Sequence, residues 1–419
     1  MKNKLFIFFI LSTILLPLYG QTTNLKEDAI KVAEKGNYTK AIELLEKAKT
    51  ESPNDPEIYY YLGVFMHYLS YDSVPLVGYN SSYPDKVLVN LEKTIKLKPD
   101  YGNAYYFIGA QYGANAIDAL LDGNEEEYKI AFKKAYDAGA FPVWLIEYDR
   151  NILKSCPENA ILFVTGDAVF DPIQYLQEIE NYRKDVTVIA FPFLNRPWYV
   201  NILKNGFNDV ITKIPIRISS KQIMDIHPYK WDTLEVNIPI SEKLKNEFNL
   251  PIDAIMKWSL EPDMDSNNRS LLSTNLTILL NIIESNKWER PIFFSLGFMP
   301  STFSGLEKNF QLYGMAFRLL PFKTEKTNYN INVSKIEEVL LNKNNIKDFK
   351  EVNKHNMPRA SNMLGNYYWV LYNLADYYKS KNQLDKIRQL ENYIKEYLNT
   401  DTLQYGNKIL QMIDKLAKN

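Results

Sequence analysis

An internal repeat over residues 25–142 constrains the fold more than any other feature of this 419-residue chain. Small, aromatic and aliphatic side chains recur there at helical spacing, and a proline closes each unit. The first series is Gly36, Tyr38, Ala41, Leu45, Ala48 and Pro53; the second is Tyr59, Leu62, Gly63, Met66, Val87, Leu91, Thr94 and Pro99; the third begins with Tyr105, Ile108, Gly109 and Tyr112. The pattern predicts antiparallel helix pairs that stack and leave a groove.

The repeat period identifies the kind of helix pair. Pro53 and Pro99 lie 46 positions apart, as do Gly63 and Gly109. A tetratricopeptide unit has about 34 residues, and one loop inserted between residues 68 and 85 explains the excess in both cases. This region resembles the tetratricopeptide family. The resemblance implies a helical domain over residues 21–150 whose groove binds a peptide or a partner protein.

Three tyrosines are the candidate contacts in that groove: Tyr59, Tyr105 and Tyr112. Aromatic side chains at these positions could stack on a bound peptide or sugar. Because aromatic residues mostly fill cores, packing between helices is the alternative reading of the same residues.

The N-terminus has the pattern of a secretory signal peptide. Lys2 and Lys4 precede an apolar run over residues 5–18, and Gly20 is a small residue at the expected cleavage point. We therefore expect residues 1–20 to be removed and the mature chain to be periplasmic or extracellular, without a transmembrane segment. The formal net charge is −1, and no basic cluster predicts nucleic-acid binding.

The hydrophobic pattern changes near residue 160. Apolar runs at residues 160–165 and 186–191 are typical of strands buried on both faces. A helix over residues 172–182, with Asp171 as its N-cap and Pro172 at its first position, and a second helix over 197–204 follow them. The alternation predicts an α/β domain over residues 151–325 with a mostly parallel sheet. Short edge strands are also expected at residues 214–218 and 234–240.

Helical periodicity returns at the C-terminus. Residues 326–419 are expected to form a polar linker and a helical hairpin of the repeat type. The complete prediction is an α+β multidomain protein with tetratricopeptide-type repeats, a central α/β domain and a C-terminal helical hairpin.

Two separated blocks of the central region carry a second resemblance. The blocks comprise residues 161–167, 175–180, 183–186 and 194–199, and then residues 288–294, 305–307 and 312–321. Over residues 157–322 the chain is similar to the soluble C-terminal segment of bacterial protein O-mannosyltransferase-like membrane proteins. In that family, the glycosyl-transfer activity is assigned to a membrane-spanning N-terminal half, which we do not find in this sequence. The resemblance therefore implies that the chain corresponds to the exported domain of such proteins, which does not itself transfer sugars, and that it is linked to glycosylation in this way.

One motif of that family is only partly kept. The family usually has Asn-Gly-Asp-Asn-Asp-Thr after the first strand. Here Asp167 matches the first acid, whereas Val169 stands at the position of the second.

Polar residues follow both strands of the predicted βαβ unit. Asp167 and Asp171 follow the first strand, where ligands of parallel sheets bind, and they could accept hydrogen bonds from sugar hydroxyls or hold a cation. Alternatively, both acids cap the helix that begins after them. Asn195, Arg196 and Trp198 follow the second strand and are expected at the same rim. Arg196 would either pair with Asp167 or contact a polar ligand beside it.

No reactive centre stands out in the sequence. The three histidines have no metal spacing, Cys156 is expected to be a small apolar filler, and no nucleophile-and-base set is found. We expect no metal and no cofactor. The predicted function is an exported binding or scaffold protein of the cell envelope, linked to protein or surface glycosylation. The alternative is a glycan-processing hydrolase, or a transferase accessory, that uses Asp167 and Asp171 as acid and base.

Overall fold

A computed structural model describes residues 21–72, 84–264, 267–324, 331–350, 352, 357–400 and 403–418. The predicted signal peptide, and most of the loop inserted in the second repeat unit, lie outside the described residues. These residues form sixteen α-helices and several small sheets, which makes the protein α+β. None of the helices found in them is long and apolar enough to cross a membrane.

Six helices form the N-terminal part, and each packs against the next along the chain. They are α1 Gln21–Ala33, α2 Tyr38–Glu51, α3 Pro56–Asp72, α4 Pro84–Leu97, α5 Gly102–Leu121 and α6 Glu125–Asp137. Small residues allow close packing: a Cβ atom on Gly63 would lie 2.7 Å from the Leu91 side chain of α4, and one on Gly109 would lie 3.1 Å from Ala140 in the turn after α6. Helix α5 is the longest of the six, with 20 residues.

The central sheet has five strands in the order β2–β1–β8–β10–β9. The strands of the described chain are β1 Ile161–Val164, β2 Thr187–Ala190, β3 Tyr229–Lys230, β4 Leu234–Pro239, β5 Ile255–Leu260, β6 Asp263–Met264, β7 Ser270–Leu272, β8 Ile292–Ser295, β9 Phe310–Tyr313 and β10 Ala316–Leu319. The pairings β2–β1 and β1–β8 are parallel, whereas β8–β10 and β10–β9 are antiparallel. The sheet is therefore mixed rather than mostly parallel, since β9 and β10 close it as a hairpin.

Helices surround this sheet and complete the C-terminal part. They are α7 Val143–Ser155, α8 Asp167–Glu178, α9 Pro197–Asn205, α10 Ser220–Met224, α11 Glu242–Glu247, α12 Thr274–Asn286, α13 Val333–Leu340, α14 Met357–Ser380, α15 Leu384–Tyr397 and α16 Gln404–Lys418. The C-terminal part thus contains three long helices, α14 to α16. The helical hairpin of the repeat type stays a prediction. One continuous apolar core extends from Ala29 in α1 to Ile413 in α16. The domain boundaries expected from the sequence stay predictions.

The predicted strand over residues 214–218 is absent from the structure. Ile214 and Ile216 are buried as a strand pattern requires, but the backbone pairs with helices. The Ile214 amide donates to the Leu203 carbonyl at 2.8 Å, and the Arg217 amide donates to the Asn281 side chain at 3.0 Å. The predicted alternation of buried residues is therefore present, but the backbone of this segment forms hydrogen bonds with helices α9 and α12 and not with a neighbouring strand.

Candidate functional site

A cavity of about 270 Å³ lies where β1 and β2 end, beneath helix α5. Thr165 and Gly166 turn the chain from β1 into α8, with Gly166 at φ +154°, a conformation that L side chains rarely adopt. The small residues Ala110 and Gly113 of α5 form the opposite wall. The predicted site at the carboxyl ends of parallel strands therefore coincides with a cavity, and helix α5 closes it.

Asp167 connects the two parts of the molecule at this cavity. Its side chain is exposed, and its Oδ2 accepts a hydrogen bond from the Tyr106 hydroxyl of α5 at 3.0 Å. Its Oδ1 accepts a hydrogen bond from the Ala168 amide at 2.8 Å. Burial, and then the charge of Asp167, raise the pKa of Tyr106, so this hydroxyl stays a hydrogen-bond donor at neutral pH.

Asp171 lies one helical turn further along α8 and is 5% exposed. Its carboxyl group packs against Gly113: a Cβ atom there would lie 2.3 Å from Asp171 Oδ2. Burial raises the pKa of Asp171 well above its usual range; the charge of Asp167 raises it further, and that of Arg359 opposes the shift. Two carboxyl groups one turn apart thus line the same cavity, one exposed and the other buried.

Arg359 of α14 reaches the start of α8 from the C-terminal part. Pro172 lies inside α8 and has no N–H to donate to the Ala168 carbonyl. Arg359 Nη2 donates to that carbonyl at 3.4 Å, while Nη1 donates to the Ala140 carbonyl at 3.2 Å. Its guanidinium also lies 5.1 Å from the centre of the Tyr106 ring. Arg359 therefore supplies the hydrogen bond that the proline removes.

This arrangement corrects the helix start predicted from the sequence. Helix α8 begins at Asp167 rather than at Pro172, and Asp171 is inside the helix rather than at its N-cap. The prediction was wrong because Pro172 was assumed to open a helix. Of the two acids, only Asp167 lies at the helix N-terminus, where it accepts a hydrogen bond from a backbone amide.

The three residues expected beyond the second strand lie beside the cavity rather than in its wall. Asn195 is exposed, and Arg196, the N-cap residue of α9, forms no ion pair with Asp167 in the described structure. The Trp198 ring packs 6.2 Å from that of Phe193, and Phe193 itself lines the cavity. A ligand-binding role of these three residues stays a prediction.

Two of the three tyrosines proposed for the repeat groove form the same kind of hydrogen bond. The Tyr59 hydroxyl donates to the Pro53 carbonyl at 2.9 Å, and the Tyr105 hydroxyl donates to the Pro99 carbonyl at 3.1 Å. Each bond joins the first helix of a pair to the turn before it. Tyr112 is partly buried, and burial raises its pKa. Contact with a peptide by any of the three stays a prediction.

Sequence reasoning missed Tyr106, Gly113 and Arg359. Gly113 carried a usable signal, because small residues at helical spacing were already assigned to close helix contacts. Tyr106 was hidden among neighbouring aromatic residues. Arg359 carried no signal, since the carbonyl group that it contacts is 191 residues away in the chain.

The chemistry available at the cavity is hydrogen bonding and charge. Phe170 and Phe193 add aromatic faces, and His67, which is paired with Gln111 at 3.0 Å, adds an imidazole at the far side. Among the described residues, no group of three or more His, Cys, Asp or Glu side chains is arranged to hold a metal ion.

The central part of the chain matches one family model. The match covers residues 146–271 and 226–338, two overlapping stretches that include β1, α8 and both cavity acids. It also includes the whole region of residues 157–322 in which the sequence resemblance was found. Neither the curated proteins nor the solved structures gave a match. Residues 146–338 are thus similar to the family described as TMEM260-associated domain 2.

Proposed function

We propose that this protein is an exported, non-catalytic binding protein linked to protein or surface glycosylation, and that it binds carbohydrate in the cavity between α5 and the ends of β1 and β2. The observation that carries the proposal is that Asp167, Asp171, Phe170 and Phe193 all line the same cavity. Carboxyl oxygens accept hydrogen bonds from sugar hydroxyls, and aromatic faces pack on the apolar side of a sugar ring.

The size and enclosure of the cavity favour a single sugar unit. Its volume of about 270 Å³ is near the lower end of the range for small-molecule sites, about 300–1,000 Å³. Asp171 is buried and Asp167 is exposed, so a bound ring would meet one carboxyl group inside the cavity and one at its mouth.

The family match supports the link to glycosylation. The name of the matched family ties it to TMEM260, a protein described as O-mannosyltransferase-like. The resemblance found in the sequence concerns the exported segment of such proteins. A domain that accompanies glycosyl transfer would need to recognise a sugar or a glycosylated surface.

We also propose that α1 to α6 are three tetratricopeptide-type units and that α14 and α15 form a fourth, with export directed by the signal peptide. The matching Tyr59–Pro53 and Tyr105–Pro99 hydrogen bonds support the repeat assignment. Helix α8 packs on α5 and α6, where the Tyr128 hydroxyl donates to Gln174 at 2.8 Å. A peptide or protein partner would therefore use the remaining surface of α1 to α4.

Binding of defined sugars to purified residues 21–419 tests the carbohydrate proposal. A glycan array followed by calorimetry on the best ligand should give saturable binding. We expect Asp167→Asn and Asp171→Asn each to weaken it about tenfold or more, because one carboxyl oxygen is replaced by an NH₂ group that cannot accept a hydrogen bond from a sugar hydroxyl. Asp232→Asn, a change at an exposed acid, is the matched control and should leave the affinity unchanged. No binding to any glycan, or equal affinity in all three variants, would refute the assignment of the cavity.

A glycan-processing enzyme is the second candidate, and one observation favours it. Asp167 is exposed whereas burial raises the pKa of Asp171, and glycosidases use such a pair as a carboxylate and a general acid. Incubation with aryl glycosides and with oligosaccharides, analysed by mass spectrometry, separates the candidates. Turnover that Asp167→Asn abolishes would establish the enzyme, and binding without turnover supports the binding protein.

A further inference from the structure

A second cavity, of about 270 Å³, lies at the carboxyl end of β8 between the β9–β10 hairpin and helix α14. It is separate from the candidate sugar site and shares no lining residue with it. Its wall contains five aromatic side chains, which are Phe298, Phe303, Phe310, Phe317 and Trp369.

The five rings form one unbroken arc. Successive ring centroids, from Phe298 through Phe303, Phe310 and Phe317 to Trp369, lie 4.8, 5.5, 5.6 and 6.1 Å apart. The rings pack against one another as one aromatic wall of the cavity, and a ligand in the cavity would lie against that wall. Aromatic faces attract a cation that lies over them, and sites lined by several aromatic rings are the common means of holding alkylammonium groups.

A carboxylate completes the wall. Glu307 lines the cavity, and its Oε2 is shielded from water and accepts no hydrogen bond in the described structure. Glu307 also forms no ion pair with any described residue. A carboxylate oxygen that is removed from water without a donor is costly. A cation bound in the cavity would lie beside this acid and lower that cost through its charge, whereas an apolar or anionic ligand would not.

We propose that this cavity binds an alkylammonium group, held by the aromatic arc and by the charge of Glu307. The exposed Met299 side chain, 74% accessible, stands among the lining residues and would cover the methyl groups of a bound quaternary ammonium. The ligand class is therefore a small organic cation, as found in choline or in a methylated lysine side chain.

Choline and 3,3-dimethyl-1-butanol, its neutral isostere, form the matched probe pair. Titration of purified residues 21–419, followed by NMR or calorimetry, should show that choline binds at least about tenfold more tightly, because only choline gains cation–π and ionic attraction. Tighter binding of phosphocholine or of trimethyllysine than of choline would support the proposal and identify the molecule that carries the group. Equal binding of choline and the isostere, or no binding of either, would overturn it.

Variants locate the site. Glu307→Gln should weaken choline binding about tenfold or more and leave binding of the isostere unchanged, whereas Glu289→Gln, a change at an exposed acid, should affect neither. Trp369→Leu should weaken choline binding as well, and circular dichroism checks that each variant is folded. An unchanged affinity in Glu307→Gln would overturn the proposal. Carbohydrate binding at the other cavity should persist in Glu307→Gln, so the two sites succeed or fail independently.

Discussion

At the residue scale, the candidate site depends on how closely single side chains approach each other. Asp171 has its buried position because Gly113 of α5 has no side chain. Arg359 compensates for the missing N–H of Pro172 by donating to the Ala168 carbonyl. Neither of these two contacts is local in sequence. The sequence could predict that acids stand at the end of β1, but not which one would be buried.

The contact between Gly113 and Asp171 yields the first prediction. Gly113→Ala would place a methyl group 2.3 Å from Asp171 Oδ2, so the carboxyl group must move. We expect a loss of about 1–3 kcal/mol in the free energy of unfolding, together with weaker carbohydrate binding. Urea denaturation and calorimetry measure the two effects.

Gly365 of α14 provides the matched control for that substitution. A Cβ atom there would meet only Tyr405, at 3.8 Å. Gly365→Ala should therefore stabilise the protein by about 0.5–1 kcal/mol through helix propensity and lower unfolded-state entropy. Equal effects of the two substitutions would contradict the close contact at Gly113.

The second prediction concerns pH and Asp149. Both carboxyl oxygens of Asp149 are buried and have no hydrogen-bond partner among the described residues. Burial raises the pKa of Asp149 well above the usual range, against the opposing charge of Arg359. Asp171 is shifted in the same direction. The folded protein therefore keeps protons that the unfolded chain loses near pH 4, about the ordinary pKa of aspartate. The contribution of these two carboxyl groups to stability is fully present below that pH and is lost as pH rises through the folded-state pKa.

Asp149→Asn should reduce this pH dependence. Urea denaturation between about pH 5 and about pH 8 should show that wild-type stability falls with rising pH and that the variant loses less. Asp232→Asn, at an exposed position, should keep the wild-type slope. A variant at Asp149 with the full wild-type slope would show that the group is already ionised in the folded protein.

At the element scale, the helix pairs repeat in their contacts as well as in their sequence. Tyr59 and Tyr105 each donate to the carbonyl of the proline six positions earlier. Gly63 and Gly109 both lie in close contacts, but Gly63 faces Leu91 of α4 whereas Gly109 faces Ala140 in the turn after α6. Periodicity and proline spacing predicted these helices well, since both properties are local. The start of α8 and the strand expected at residues 214–218 could not be predicted, because tertiary partners on α14, α9 and α12 decide them.

The third prediction tests the equivalence of the repeat units. Tyr59→Phe and Tyr105→Phe each remove one hydroxyl hydrogen bond, so each should cost about 0.5–1.5 kcal/mol of stability. Tyr405→Phe, a change at an exposed tyrosine of α16, should cost less. Urea denaturation of the three variants provides the comparison. Clearly unequal costs for Tyr59 and Tyr105 would argue against matching structural roles.

At the scale of the whole molecule, the helical and α/β parts share one apolar core. The Tyr106–Asp167 and Arg359–Ala168 hydrogen bonds join three regions of the chain at the candidate site. Composition and hydrophobic pattern predicted helices and an α/β part, but not that they would close one cavity together. That closure depends on contacts between residues far apart in sequence, such as Tyr128 with Gln174.

The shared core leads to the fourth prediction. The six tryptophans, at positions 144, 198, 231, 258, 288 and 369, all lie outside residues 21–142. Tryptophan fluorescence therefore reports on the central and C-terminal parts, whereas far-UV circular dichroism also reports on the repeat helices. The two probes should give one coincident urea transition, as expected for cooperative unfolding. A loss of helical signal that precedes the change in fluorescence would show that the repeat helices unfold separately.

The central claim is that carbohydrate binds between α5 and the strand ends, in contact with both acids. Calorimetry of the best array ligand against the wild-type chain, Asp171→Asn and Gly113→Ala tests it most directly. The account predicts saturable binding to the wild type, and a loss of about tenfold or more in both variants, since each removes or displaces the same carboxyl group. Wild-type affinity in both folded variants would contradict it.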